Sequence, residues 1–423
     1  MISTSPLTDR RLLPLEQVRL RMPQSWQTPL VADALLTLLF FRLVSCHWTE
    51  EAMRFQVAGK ASETLLQAML DSGQFLMSAN AMFANCRAGN PAHLGAAIQE
   101  TMQTWINSQV SDTAHKKLAA ILRPERFGNL FADASELAKA LDLIDAITID
   151  PATPSPQLGA LFAQAMHLLG SGPAPAVQDA MVRLAQLVQP QANEIVFDPA
   201  CGQGNLLQSC AAALALRAPA STMHLCGMQA LPDDWALACM LLHLSGQHHF
   251  SLTLGGPTHT PIAAQIFQQV TPADLVVTML VHKTPMAQAV TTLRYALACM
   301  KPDTGRMGVL VPLSLLASIE GKTIIRLLLE QDFLDAAVGP LTDDASPLLI
   351  LLLRQQRTRV PVAFISAAPD GDAADNAAAA LAAWQQGQSH AALRELDPQA
   401  IANRQYTLVA HNEGQSGADR GGG

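Results

Sequence analysis

The chain has 423 residues, 49% hydrophobic and only 15% charged, which excludes a disordered or low-complexity protein and allows two or three packed domains. Its 27 basic and 35 acidic residues give a formal net charge of -8. That balance excludes strong autonomous binding to a phosphate backbone, so any contact with nucleic acid has to be local or arranged by a partner.

The N-terminal stretch MISTSPLTDRRLLPLEQVRLRMP holds no continuous apolar run, and no signal peptide is expected. The longest apolar stretch, Leu30 to Cys46, is interrupted by Asp33 and Arg42. Its three-to-four-residue periodicity predicts a buried helix rather than a membrane span. From residue 25 to about 150 the spacing predicts helices throughout, carried by LLQAMLDSGQFLMSA, HLGAAIQETMQTWINSQV and ASELAKALDLIDAI. Asn90-Pro91-Ala92-His93 reads as a turn or helix start. The run Asp150 to Pro156 carries three prolines and is expected to be a linker. Two more helices follow, LGALFAQAMHLLG and VQDAMVRLAQLVQ.

After Gln191 short apolar runs alternate with helical segments: EIVFDPA, MHLCGMQ, FSLTLGG, DLVVTML, RMGVLVP, FLDAAVGP, PLLILLLRQ and VPVAFISAA. Strands alternating with helices predict an α/β fold with a parallel sheet and helices on both faces. The runs LLILLL and VLVP have the composition of central strands buried on both sides. Residues 370–383 are alanine-rich and predicted helical, and the tail from Glu413 is expected to be a flexible terminus. Seven cysteines are scattered with no CxxC pair and no zinc-type histidine spacing. Reduced core thiols and a cytoplasmic setting are expected, and no metal site.

The sharpest motif is Asp198-Pro199-Ala200-Cys201-Gly202-Gln203-Gly204, between the strand EIVF and the helix NLLQSCAAALAL. Glycines at a strand-to-helix turn let the backbone approach a ligand, and the helix offers free N–H groups. This string resembles the cofactor loop DPACGSG of S-adenosylmethionine-dependent N6-adenine DNA methyltransferases. The wider resemblance is to the modification subunit of type I restriction-modification systems, and it covers most of the chain. Leu35 to Val44 resembles that family's helical domain, and Gly172-Pro173-Ala174-Pro175 stands where the family has a Tyr-Thr-Pro element. Gly305 to Pro312, Glu320-Gly321-Lys322 with Leu334 to Gly339, and Ile401 to Leu408 resemble later elements, the last a terminal strand. The resemblance implies a Rossmann-like S-adenosylmethionine-dependent methyltransferase domain over residues 151–412, an all-helical N-terminal domain over 1–150, and a tail over 413–423. It implies cofactor contacts from Asp198, Pro199, Ala200, Gly202, Gly204 and Gln229.

The chain departs from the family at its polar positions. Where the family's second strand ends in a carboxylate for the ribose hydroxyls, this one ends in Gln229, which accepts a hydrogen bond but carries no charge. After the third strand, where an adenine-binding side chain is usual, stand Gly255-Gly256-Pro257. The polar residue of the Tyr-Thr-Pro element is replaced by Ala174. Met279-Leu280-Val281-His282 falls where the family has Asn-Pro-Pro-Phe/Tyr. There an Asn oxygen and a backbone carbonyl accept the two protons of adenine N6, and the aromatic ring stacks on the flipped base. Methionine is only a weak acceptor, so no catalytic residue is expected in this chain. His282-Lys283 reads as an exposed loop rather than a new acid/base pair. His248, His249 and His259 lack partners for zinc. Trp235 and Trp384 read as packing residues, and Arg354, Arg357 and Arg359 as a solvated strand end.

Together these residues predict a degenerate, non-catalytic relative of the DNA-adenine modification subunit. S-adenosylmethionine binding is expected to be weak or lost. A specificity-like or other restriction-modification protein partner is implied, with DNA reached through the complex and no membrane. Two alternatives stay open: an active N6-adenine methyltransferase completed by a partner, and an S-adenosylmethionine-binding sensor.

Overall fold

The computed structural model describes residues 28–57, 74–87, 93–128, 134–150, 153–219, 221–247, 249–257, 272–280, 286–341, 347–357, 361–366, 373–405 and 408. Contacts divide the chain into two compact units, residues 1–185 with 189–268, and residues 186–188 with 269–423. The grouping follows contacts rather than the texture of the sequence: the N-terminal helices share a unit with the first three strands.

In the first unit, helix α1 (Pro29–Val57) is the long apolar element. Its stretch Pro29–Thr49 is long and apolar enough to cross a membrane, but its side chains from Val31 to Val44 are almost all packed inside the unit. Phe40 and Phe41 stack on Trp105 at 6.0 and 5.1 Å between ring centres. That tryptophan lies on α2 (Leu94–Asn107), which is followed by α3 (Asp112–Leu122) and α4 (Ala134–Asp145). Arg42, one of the two charges that interrupt the apolar stretch, donates to the backbone carbonyls of Ile144, Asp145 and Ile147. It therefore caps the C-terminal end of α4, where helix carbonyls have no partners of their own.

The expected helix over LLQAMLDSGQFLMSA does not form in its described part. Residues 74–78 have no regular secondary structure, and a short 3-10 turn follows at Ala79–Ala81. Side chains of α2 and of the residues just after it have taken over that backbone: Trp105 Nε1 and Gln109 Nε2 donate to the Leu76 carbonyl at 2.8 and 2.6 Å, and Leu76 N–H donates to Gln109 Oε1 at 3.1 Å. Tertiary hydrogen bonds have outweighed local propensity.

The expected linker at 150–156 is shorter than predicted. α5 (Ser155–Leu168) opens with Pro156 in its first turn, where the missing N–H costs nothing. After α6 (Pro175–Val188), strand β1 (Ile195–Asp198) leads through the glycine loop into α7 (Asn205–Arg217). β2 (His224–Gln229), α8 (Pro232–Leu244) and β3 (Phe250–Leu254) complete the unit. The three strands are parallel in the order β3-β2-β1. Every residue of α8 from Ala236 to Leu244 is buried, as expected of a helix that is apolar all round. It is covered by α1, α3, α5 and α7 and itself covers β2 and β3.

The second unit carries β4 (Leu275–Met279), α9 (Met286–Cys299), β5 (Arg306–Pro312), a short α10 (Leu313–Ala317) and α11 (Ile319–Glu330). Then come β6 (Leu334–Val338), β7 (Leu348–Arg354), β8 (Val362–Ile365), α12 (Ala373–Gln385), β9 (Leu393–Leu396) and α13 (Pro398–Asn403). Their strands run in the order β4-β5-β7-β6-β8-β9. The sheet here is mixed, not parallel: β7 runs antiparallel to β5 and β6, and β9 antiparallel to β8. Residues 401–403, expected in a terminal strand, are helical. Asp397 accepts from Gln399 N–H at 2.7 Å and caps α13 in its place. Among the described residues the last strand is β9, whose sequence LREL is too short and polar to show as a strand by composition. Tyr406, Thr407 and the tail 413–423 lie outside the described residues.

Candidate functional site

The glycine loop is built as its sequence predicts. Asp198 ends β1 only 2% exposed, and its Oδ1 accepts from Ala200 N–H at 2.9 Å, closing the turn after Pro199. Cys201 N–H donates to the Met228 carbonyl at 2.9 Å, which fastens the loop to the end of β2. Gly202 and Gly204 have φ of +52° and +82°, where other residues are strained. A Cβ on Gly204 would sit 3.2 Å from the Ala238 Cβ, so this glycine lets α7 and α8 approach. A Cβ on Gly202 would meet nothing within 4 Å and would enter open space above the loop. The Cys201 thiol is buried, and burial first, with the Asp198 charge next, holds its pKa well above the usual value. It is a packed neutral thiol, not a nucleophile.

Beside the loop lies a polar cluster that sequence reasoning missed. Gln229 donates through Nε2 to Asp234 Oδ2 at 3.4 Å and accepts from Leu231 N–H at 3.3 Å. Gln203, from the loop itself, donates to Asp234 Oδ1 at 3.0 Å. A carboxylate is therefore present where the end of β2 lacks one. Its neighbour Asp233 is paired with Arg123 and Arg126. Burial alone would raise the Asp233 pKa, but hydrogen bonds from the two arginines hold it below the usual range. Asp33 of α1, 7% exposed, belongs to the same field. Burial first and then the Asp233 charge push it up to about 6, against the pull of Arg123 and Arg126. The available signal was Asp233-Asp234 in the first turn of the helix after β2, four and five residues beyond Gln229.

The other expected cofactor positions are apolar. Ala174 is exposed and precedes α6 with no side-chain cap. Gly255 and Gly256 are buried, and Gly255 N–H donates to the Gln229 carbonyl at 2.8 Å. That part of the site offers backbone only.

In the second unit β4 ends at Met279, which is half-buried. Leu280 is 3% exposed, and its N–H donates to the Leu310 carbonyl of β5 at 2.9 Å. A proline at 280 has no N–H to make that bond. The sheet ladder thus runs one residue past the strand, through a position where the resemblance expects a proline. Val281, His282 and Lys283 lie outside the described residues, as do His248, His259 and Asn90 to Ala92. Trp384 is fully buried on α12, and Trp235 Nε1 donates to the Leu252 carbonyl at 3.1 Å, so both are packing residues. Arg354 and Arg357 are not a solvated strand end. Arg354 Nε bonds Asp335 Oδ2 at 2.9 Å, and Arg357, with its side chain 1% exposed, pairs with Asp332 and bonds the Pro361 carbonyl. Arg359 lies outside the described residues. Among the described residues no group of three or more His, Cys, Asp or Glu is placed to hold a metal ion.

Solved structures share this architecture over nearly the whole chain. The type I restriction-modification methyltransferase subunit from Streptococcus thermophilus matches with a TM-score of 0.68 at 15% identity, covering 94% of this chain and 97% of that one. The chain has the fold of a type I modification subunit. A chain described as a modification subunit of a type I restriction enzyme from Vibrio vulnificus matches with a TM-score of 0.67 at 16% identity, covering 94% of each chain. A chain from a structural study of type I restriction-modification assembly matches with a TM-score of 0.65 at 16% identity, covering 96% and 91%. No protein-family model matches the sequence, and no curated protein matches it either. At such identities the likeness to modification subunits concerns the fold, and the chemistry of the site rests on the residues described above.

Proposed function

We propose that this chain is a non-catalytic relative of the DNA-adenine modification subunit, acting as a subunit, regulator or scaffold in a cytoplasmic restriction-modification type assembly. The observation that carries the reading is the end of β4. Methyl transfer to adenine N6 needs acceptors for two amino protons, because that nitrogen is conjugated into the ring and weakly nucleophilic. Here the side chain offered is the Met279 thioether, and the next residue is committed to the sheet through Leu280 N–H. The net charge of -8 supports DNA contact through a protein partner rather than alone.

The glycine loop keeps a place for S-adenosylmethionine, held weakly. Support comes from the open space over Gly202, the buried Asp198 and the free N-terminal N–H groups of α7. When bound, that cofactor carries an activated methyl group. The chain's own part is to hold it: the loop backbone approaches it, and Asp198 lies at the end of β1 beside the turn. Incubation of the protein with labelled S-adenosylmethionine and unmethylated DNA, alone and with co-purified partners, is expected to leave no label in DNA. Adenine-specific label that disappears in Asp198→Ala would overturn the reading.

A further inference from the structure

In sites where a glycine loop links a first strand to a helix, the ribose hydroxyls of a nucleoside fall at the end of the neighbouring parallel strand, where a carboxylate accepts them. Here β2 pairs with β1 in parallel, Asp198 opposite Gly227, which puts Gln229 two residues beyond that pair. Gln229 is already engaged on three sides. Its carbonyl accepts from Gly255, its Oε1 from Leu231 N–H, and its Nε2 donates to Asp234. Asp234 is different. An ionised carboxylate has about four lone-pair sites, and the side-chain bonds recorded to it are those from Gln203 and Gln229, one on each oxygen. Acceptor capacity therefore remains on both oxygens, as a vicinal diol requires. The two amides come from the ligand loop and from the strand end, so they fix the carboxylate between the elements that would flank a ribose. Asp233, held by Arg123 and Arg126, anchors the same helical turn from the other side.

We propose that Asp234 is the residue that takes the ribose hydroxyls of an adenosyl ligand in this chain, with Gln203 and Gln229 as positioning residues. The carboxylate has moved from the strand end to the first turn of the following helix. This rests on the reading that the glycine loop binds an adenosyl ligand.

The test is isothermal calorimetry on the full chain with S-adenosylhomocysteine and with its 2′-deoxyribose counterpart. The wild type is expected to favour the ribose form by about tenfold, since a lost hydroxyl leaves a charged acceptor unmatched. Asp234→Asn, nearly isosteric, should bring the two ligands within about twofold while Tm stays near the wild-type value. Gln229→Glu should weaken binding, because it sets a second carboxylate against Asp234. If Asp234→Asn lowers both affinities equally or changes neither, or if Gln229→Glu tightens binding, Asp234 is not the ribose partner and the proposal fails. If the wild type binds neither form, the adenosyl reading of the loop fails and the proposal with it. If it binds both equally and Gly202→Leu abolishes both, the loop reading stands and only the role of Asp234 is overturned.

Discussion

Asp33 shows what one buried charge does to this molecule. Its folded pKa of about 6 lies above the unfolded value of 3.8, so the folded state holds the proton more tightly. The stability due to that proton is fully present below about pH 4 and is lost as the pH rises through about 6. Asp33→Asn removes the ionisation, and is expected to raise stability at pH 7 to 8 by up to about 3 kcal/mol while changing little at pH 4. Urea titrations at the two pH values read this directly. Asp335 is shifted in the same direction, with its side chain 3% exposed beside Arg354 and Arg357. Burial is the first cause that raises its pKa, against the pull of both arginines. Arg357→Met leaves Asp335 with Arg354 as its remaining cation and removes the buried hydrogen bond to the Pro361 carbonyl, so it is expected to cost about 1 to 3 kcal/mol by chemical denaturation.

At the scale of elements, the end of β4 and the glycine loop obey different constraints. Leu280 is a strand residue in both burial and hydrogen bonding. Leu280→Pro removes the bond to the Leu310 carbonyl together with a packed side chain, and should lower stability by about 2 to 4 kcal/mol. Unchanged stability would mean that position 280 is free to carry the proline of an active tetrapeptide. Gly204→Ala should cost about 1 to 2 kcal/mol, since φ is +82° and the added methyl meets Ala238 at 3.2 Å. The short irregular segment 74–78 makes a related point. Helical spacing was present in its sequence, but Trp105 on α2 and Gln109 just beyond it satisfy the Leu76 backbone groups without a helix.

For the whole molecule, the net charge bears on the proposed need for a partner. With net charge -8, the chain alone is expected to bind duplex DNA no more tightly than about 10⁻⁴ M at physiological salt, as read by fluorescence anisotropy. A salt-resistant complex in the absence of any partner would contradict the proposed division of labour. The fold resembles modification subunits at a TM-score of 0.68 with 15% identity. That pairing is understandable physically, because packing tolerates replacement of apolar residues of similar volume while site chemistry does not.

The sequence by itself determined the strand-helix alternation, the glycine loop with its Asp198, and the absence of an amide acceptor at Met279. These rest on local periodicity, on the backbone freedom of glycine and on side-chain identity, all of which survive without neighbours. Only the tertiary structure decided that β7 and β9 run antiparallel, that Arg354 and Arg357 are paired with carboxylates, and that Leu280 belongs to the sheet. Above all, it brought Asp234 against Gln203 and Gln229. Pairing direction and the arginine partners depend on residues far apart in the chain, while Asp234, close to Gln229 in sequence, meets it only because the loop and the helix after β2 fold together. The Gln229 substitution, read alone, removes a charge from the cofactor side. Folded, the chain has a carboxylate within hydrogen-bond reach of that glutamine.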